Sequence, residues 1–385
     1  MPPNATPPVI LQVLPSLVTG GVERGTVEIT QAIADAGWIP LVTSQGGPMV
    51  RAVEDAGGLH IALPLKAKTP FGIWRNAERL EAVLRDHKVS IVHARSRAPA
   101  WSAWIACQRT GTPFVTTYHG TYGENLPFKR RYNAIMARGE IVIAASRFIA
   151  DLVTARHGID PSRIRVIPRG VDTAAFDPGA VAAERLTRLR EAWRLPDRAR
   201  VVMLPGRLTA WKGHTVLLDA IARLPSADVV CVLVGSDQGR WRYSAQLRQR
   251  AEDLRIGERL RMVGQCDDMP AALMLADVVV HASTQPEAFG RVVIEAQAMG
   301  RPVVASDLGG PVETVEQGVT GWRIRPNDPV GLAAAIGHAL ALDAATLAAL
   351  HERARASVPT VQAMQQATIA VYRTILDRSA AGVSA

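Results

Sequence analysis

From residue 9 almost to the end of the chain, short apolar runs rich in β-branched residues alternate with longer segments of helical apolar periodicity. Runs of the first kind, bounded by turn residues, predict buried strands; the longer segments predict amphipathic helices. A first set of strands is expected at Val9–Pro15, Ile39–Thr43, Leu59–Leu63, Ile91–Ala94, Phe114–Tyr118, Ile141–Ala144 and Ile164–Ile167. A second set is expected at Val201–Gly206, Val229–Gly235, Leu260–Gly264, Val278–Ala282, Val303–Ser306 and Gly321–Ile324. Val22, Thr26, Ile29 and Ile33 fall on one face of the first helix, and Val361–Leu376 is the last helix. Alternation of this kind is the pattern of an α/β protein with parallel sheets and helical crossovers. Between the two sets, the stretch from Pro168 to Gly179 has the Pro/Gly/Asp content of a hinge. The expected division is therefore a first domain over 1–175 and a second over 176–361, with a small-residue tail, 379–385, that is disordered.

Candidate chemistry clusters where strands end. Glu287 and Glu295 bracket the end of one strand, a short loop and the first turn of a helix. Ligands bind at such strand ends in open parallel sheets, and helix N-termini favour phosphate. A carboxylate there makes sense beside a phosphate if it accepts hydrogen bonds from sugar hydroxyls. Two glutamates at a helix start also simply balance the helix dipole; the tight turn implied by Phe289-Gly290 between them argues for a site. Ahead of them, Gly206-Arg207 and Lys212-Gly213 put an Arg and a Lys on one strand-to-helix loop, fit to clamp a diphosphate or simply to be solvated. Gly20-Gly21 opens the first helix and would let a ligand approach backbone N–H groups, although the third glycine of a dinucleotide fingerprint is missing. His119 ends a first-domain strand next to Gly120, one of several strand histidines that include His93 and His281. Arg95 and Arg97 directly follow another strand, and Tyr132 lies in the basic, aromatic segment from Phe128 to Asn133. Those residues suit an acidic glycan acceptor or a membrane surface, and equally a solvated face.

The Glu287–Glu295 spacing, the Arg207/Lys212 pair ahead of it and the order of elements resemble the EX7E retaining glycosyltransferases of family 4, over nearly the whole chain. The resemblance implies a GT-B fold: two Rossmann-like domains with parallel sheets facing a central cleft, the last helix (about 362–378) crossing back onto the first domain. It implies that Glu287 contacts the transferred sugar and Glu295 the ribose, within a donor-binding segment that includes Phe289, Gly290 and Arg291. Arg207 and Lys212 would neutralise the departing diphosphate, the Gly20-Gly21 loop would close over the donor phosphates, and His119 would hydrogen-bond the sugar. The catalytic set is then His119, Glu287, Arg207 and Lys212, with Arg95, Arg97 and Tyr132 toward the acceptor in the first domain. The implied reaction moves a hexose-type sugar from a UDP- or GDP-linked donor to a glycan or lipid-linked acceptor, in bacterial lipopolysaccharide or other envelope polysaccharide synthesis. No cofactor and no metal are expected: Asp267-Asp268 precedes Met-Pro at a helix start, where capping is the simpler reading. A nucleotide-sugar 2-epimerase shares the fold but needs an acid/base pattern not found here. A non-catalytic, membrane-associated binding protein would have lost one of Arg207, Lys212, Glu287 or Glu295.

Charge and cysteines narrow the setting. Of the net +9, +7 lies before residue 176, where 20 basic residues face 13 acidic ones. Only five of the 44 basic residues are lysines, so a bias toward Arg explains part of the excess; attraction to an anionic inner-membrane face or a phosphorylated acceptor explains it equally. No basic stripe interleaved with aromatics points to nucleic acid. Cys107, Cys231 and Cys266 have no CxxC spacing and read as thiols of a reducing compartment. No apolar stretch approaches the ~20 residues of a membrane span, and the Pro-rich start has no basic signal region. A cytoplasmic enzyme is expected, peripheral to the inner membrane.

Overall fold

The computed structural model describes residues 6–18, 20–124 and 126–383. It divides into two units, Met1–Arg169 with Val361–Ala385, and Gly170–Thr360. The first holds a parallel sheet of β1 (Val9–Val13), β2 (Ile39–Ser44), β3 (Leu59–Ala62), β4 (Ile91–Ala94), β5 (Phe114–Tyr118), β6 (Ile141–Ala144) and β7 (Ile164–Val166). The second holds β8 (Arg200–Pro205), β9 (Val229–Val234), β10 (Leu260–Gly264), β11 (Val278–His281), β12 (Val303–Ser306) and β13 (Trp322–Ile324), also parallel. Every strand expected from the apolar runs is present. The orders are β3-β2-β1-β4-β5-β6-β7 and β10-β9-β8-β11-β12-β13. In each sheet the winding direction reverses beside the opening strand, between β1 and β4 and between β8 and β11. Chains leave those strands in opposite directions, which opens a crevice at their C-terminal ends. Four loops rim these two crevices, and they carry Gly20-Gly21, Arg95 and Arg97, Arg207 to Lys212, and Glu287.

Each unit has its own core. In the second, Val202 and Leu204 of β8, Cys231 and Leu233 of β9 and Val278 and Val280 of β11 pack against Leu217, Ile221, Leu332 and Ile336 from the flanking helices. In the first, Ile10, Ile91, Val115 and Ile141 from the strands meet Ile29 and Ile33, on the predicted face of the opening helix, and Tyr372 and Ile375 of the last. The division between the units falls inside the stretch that composition marks as a hinge, after Arg169, and from Gly170 on that stretch is tied into the second unit. The Val171 amide donates to Pro359 O at 2.9 Å, and Arg355 pairs with Asp177 at 3.2 Å.

The last helix spans Val361–Val383, past the expected end at Leu376. The residues Ser379 to Val383, expected to be disordered, are therefore helical; the last two residues of that tail lie outside the described residues. Ala is the strongest helix former, so a small-residue tail extends a helix already nucleated by packing. This helix belongs to the first unit, where Gln365 Nε2 donates to Glu28 O at 2.8 Å. Its Tyr372 hydroxyl lies 2.6 Å from His93 Nδ1, and His93 Nε2 lies 2.6 Å from Thr117 Oγ1, all three residues buried. Tyr372→Phe should thus strand one nitrogen of a buried imidazole and cost about 1–3 kcal/mol. Urea unfolding of the full chain measures this, and an unchanged midpoint would show the contact to be energetically idle. Among the described residues, no single helix is long and apolar enough to cross a membrane.

Candidate functional site

In the second unit, two strand-end loops are stitched together before any ligand is considered. Gly213 ends the loop after β8 in a left-handed conformation, φ 75°, and a Cβ there would stand 1.8 Å from Ala282 O. Only glycine lets this loop approach the end of β11 so closely. Next to it, Trp211 O accepts from the Thr284 amide at 2.7 Å. The result brings Lys212 Nζ to 2.6 Å from Glu287 Oε1, across 75 residues of sequence. His281 Nε2 lies 2.7 Å from the same oxygen, and the Ser283 hydroxyl also donates to it. The Glu287 backbone is held from its other side by the loop after β12: the Gly310 amide donates to Glu287 O at 2.8 Å. A Cβ on Gly309 would fall 2.5 Å from that oxygen, and one on Gly310 would fall 2.4 Å from Phe289 Cα.

Burial alone would push the Glu287 carboxyl up, but the charges and hydrogen bonds of His281 and Lys212 outweigh it and hold the group well below the carboxylate range. Glu287 is an anion at neutral pH, so it cannot serve as a general acid. Its three contacts converge on Oε1, and Oε2 is the oxygen left to accept from a ligand hydroxyl. Gly290, at φ 84°, caps the helix Arg291–Ala298. Phe289 is buried beside it, and Glu295 is buried on the helix with Arg291 Nε 3.5 Å away. Arg207 is exposed on the loop that carries Lys212. Asp268 caps its helix through the Ala271 amide at 3.2 Å and receives both arms of Arg185 at 2.9 and 2.6 Å.

The first unit gathers positive charge around His119. Arg169 Nη2 stands 2.5 Å from His119 Nδ1. Burial, then the charges of Arg169, Arg95 and His93, hold the imidazole well below 6.5, so it is neutral at pH 7. A guanidinium can only donate, which makes Nδ1 the acceptor and assigns the ring proton to Nε2. Arg169 reaches this position over Gly25, where a Cβ would meet Nη1 at 2.7 Å. Gly20 and Gly21 open the helix Gly21–Asp35 after an extended Gly20, and the Glu23 carboxylate packs so closely that a Cβ on Gly20 would lie 2.3 Å from it.

Arg95 departs from expectation. It is 2% exposed, with Nε donating to Gln12 Oε1 at 2.7 Å, so it is an interior side chain rather than an open acceptor contact. A position after a strand does not say whether the side chain turns outward or back over the sheet. Arg97 is half-buried instead: its guanidinium lies 4.2 Å from the Tyr122 ring centre and 5.9 Å from that of Tyr132, and Nη1 donates to the buried Asn133 Oδ1 at 2.7 Å. Reading the sequence did not single out Ser283, Gly309-Gly310, Gly25 or Arg169, and passed over His281 as one strand histidine among several. The Gly-Gly pair after β12 carried the same signal as Gly20-Gly21; Arg169 carried none, since it sits in the Pro/Gly-rich stretch.

Comparison with known proteins agrees with this geometry. Residues 187–357 match the family model for glycosyl transferases group 1, and residues 19–175 match that for glycosyltransferase family 4. A D-inositol 3-phosphate glycosyltransferase of Salinispora tropica is 31% identical over 361 residues, covering 86% of this chain and 72% of the relative. The crystal structure of a glycosyltransferase from Rickettsia africae superposes with a TM-score of 0.89 at 34% identity, covering 97% of this chain and 99% of that one. The Anabaena protein HepE, in complex with UDP-glucose, gives 0.83 at 26% identity, with 94% and 99% covered. The two Rossmann-like units are thus those of a GT-B glycosyltransferase. The chain belongs to glycosyltransferase family 4 and is an enzyme of that class.

Proposed function

We propose that the protein transfers a hexose from UDP-hexose, with retention of configuration and without a metal, to an acceptor that carries an anionic group. The buried Glu287 carboxylate, kept ionised by Lys212 and His281 at the end of β11, carries this reading. An ionised, oriented carboxylate with one open oxygen suits the hydroxyls of a sugar, while Lys212 and the exposed Arg207 suit the two phosphates. As the glycosidic bond breaks, charge accumulates on the departing diphosphate, and fixed cations stabilise that state more than the ground state. Attack from the same face, with the leaving phosphate taking the acceptor's proton, needs no nucleophilic carboxylate. Glu295 is proposed to hold the ribose, and the second unit to bind the donor. His119, neutral with its proton on Nε2, is proposed to donate to a sugar oxygen, and the first unit to bind the acceptor through Arg97 and Tyr132. UDP is favoured over GDP because HepE, similar along nearly its whole length, binds UDP-glucose.

Envelope glycan assembly from a lipid-linked acceptor, at the cytoplasmic face of the inner membrane, suits the basic first unit. A second acceptor is favoured by one observation: the relative from Salinispora tropica is named for D-inositol 3-phosphate, a small phosphorylated polyol. Incubation with labelled UDP-glucose, UDP-N-acetylglucosamine and GDP-mannose, each with an inositol phosphate or a lipid extract, separates these acceptors. The expected result is a retained glycoside from a UDP donor, formed equally after exhaustive EDTA. An inverted product, an epimerised sugar, or loss of activity on chelation with recovery on adding Mg²⁺ or Mn²⁺ would overturn the corresponding part of the proposal.

A further inference from the structure

We infer that the first unit seats on an anionic lipid bilayer through two aromatic-tipped basic segments, residues 66–75 and 126–131. Lysine is scarce in this arginine-rich chain, with five in all, yet Lys66, Lys68 and Lys129 stand in these two segments. No Asp or Glu occurs between Asp55 and Glu78, nor between Glu124 and Glu140. Charge there is therefore uncompensated along the sequence, unlike the rest of the helix that follows, where Glu81 pairs with Arg85 and Arg109. Each segment also holds large apolar groups out of the core. Phe71 is 66% exposed and Phe128 65%, the most exposed of the large apolar side chains described for this unit; Trp74 is 46% exposed and stacks on Phe71 at 6.4 Å.

The two segments share one surface. They follow β3 and β5, and the helix Arg97–Thr110, which follows β4 between them, touches the first segment and Tyr132, the residue next after the second. Its Ser102 hydroxyl donates to Ile73 O at 3.0 Å, and its Trp101 indole donates to Tyr132 O at 3.1 Å. Beside the second segment runs a groove of about 490 Å³ with Ala134, Ala137 and Ile159 in its lining and Arg130, Arg131 and Arg138 among the residues around it. Apolar floor and cationic rim together match an amphiphile with an anionic head. A soluble polyanion would answer the charges but leave the aromatic rings in water. Rings that enter the headgroup layer, with ammonium and guanidinium heads at phosphate level, satisfy both.

Which membrane is met rests on the envelope reading above; the surface itself does not. The test is sedimentation of the full-length protein with sucrose-loaded vesicles, either phosphatidylcholine alone or phosphatidylcholine with phosphatidylglycerol. Binding is expected only with the anionic lipid and should fall steeply with salt. Since each basic residue at such a surface contributes on the order of fivefold in partition, K66E/K68E should weaken binding at least about 20-fold. F71S/F128S should weaken it while leaving the salt dependence in place. Equal binding to both vesicle types, no binding, or binding unaffected by either double variant would overturn the proposal. So would full competition by a soluble acidic polysaccharide against unaltered F71S/F128S binding. Calorimetry with UDP on the same samples separates the two readings: intact UDP binding without vesicle binding removes only the surface, whereas vesicle binding without UDP binding removes the donor assignment.

Discussion

Lys212→Ala should lower turnover by about 100-fold or more, because the ammonium faces negative charge that grows as the nucleotide departs. Arg207→Ala should match it in rate and differ from it in everything else. Arg207 is exposed, so its removal should leave thermal stability nearly untouched. Lys212 lies 2.6 Å from a carboxylate 13% exposed at its side chain, so its removal also leaves Glu287 with one cation fewer and should lower the melting temperature. Rates and melting curves of the two variants, measured side by side, test the assignment. Near-normal turnover in both would remove the clamp from the mechanism, and equal melting shifts would mean that the Lys212–Glu287 contact is not formed in solution.

Glu287→Gln should cut kcat by about 100- to 1,000-fold while leaving the affinity for UDP itself nearly unchanged, since the carboxylate is assigned to the sugar. The substitution keeps the shape and removes the charge that Lys212 and His281 face. It also carries a signature in pH. The carboxyl is depressed in the folded protein relative to its ordinary value of 4.5, so its contribution to stability is present above that value and is lost as the pH falls below it. The fall in melting temperature between about pH 5 and pH 3 should therefore be shallower in the variant than in the wild type. A parallel fall in both, or a variant that keeps its turnover, would show that Glu287 is not held as an anion by these partners.

The strands were legible because parallel strands buried on both faces are nearly continuous apolar runs, and turn residues bound them in this chain. Glu287 and Lys212 were legible as separate signals, each on a loop after a strand. Their contact was not, because it depends on β11 lying beside β8 rather than on anything local to either loop. The same holds for His281, whose aim at Glu287 follows from the turn that Ser283 and Gly309-Gly310 impose. Arg95 was misread because strand-end position fixes a Cα and leaves the direction of a long side chain open. The tail misled for a different reason: small residues signal disorder when isolated and helix when they continue one.

The last helix carries a consequence for how the molecule is made. Tyr372 completes the buried contact with His93, yet the two are separated by the whole of the second unit. During synthesis, Gly170–Thr360 is a single uninterrupted stretch and can reach its native state as soon as it leaves the ribosome. The first unit, although begun earlier, must wait with its sheet partly uncovered until residues 361 onward emerge. The order of birth and the order of completion are therefore reversed, and the nascent first unit is the stage at which chaperones are needed and aggregation competes.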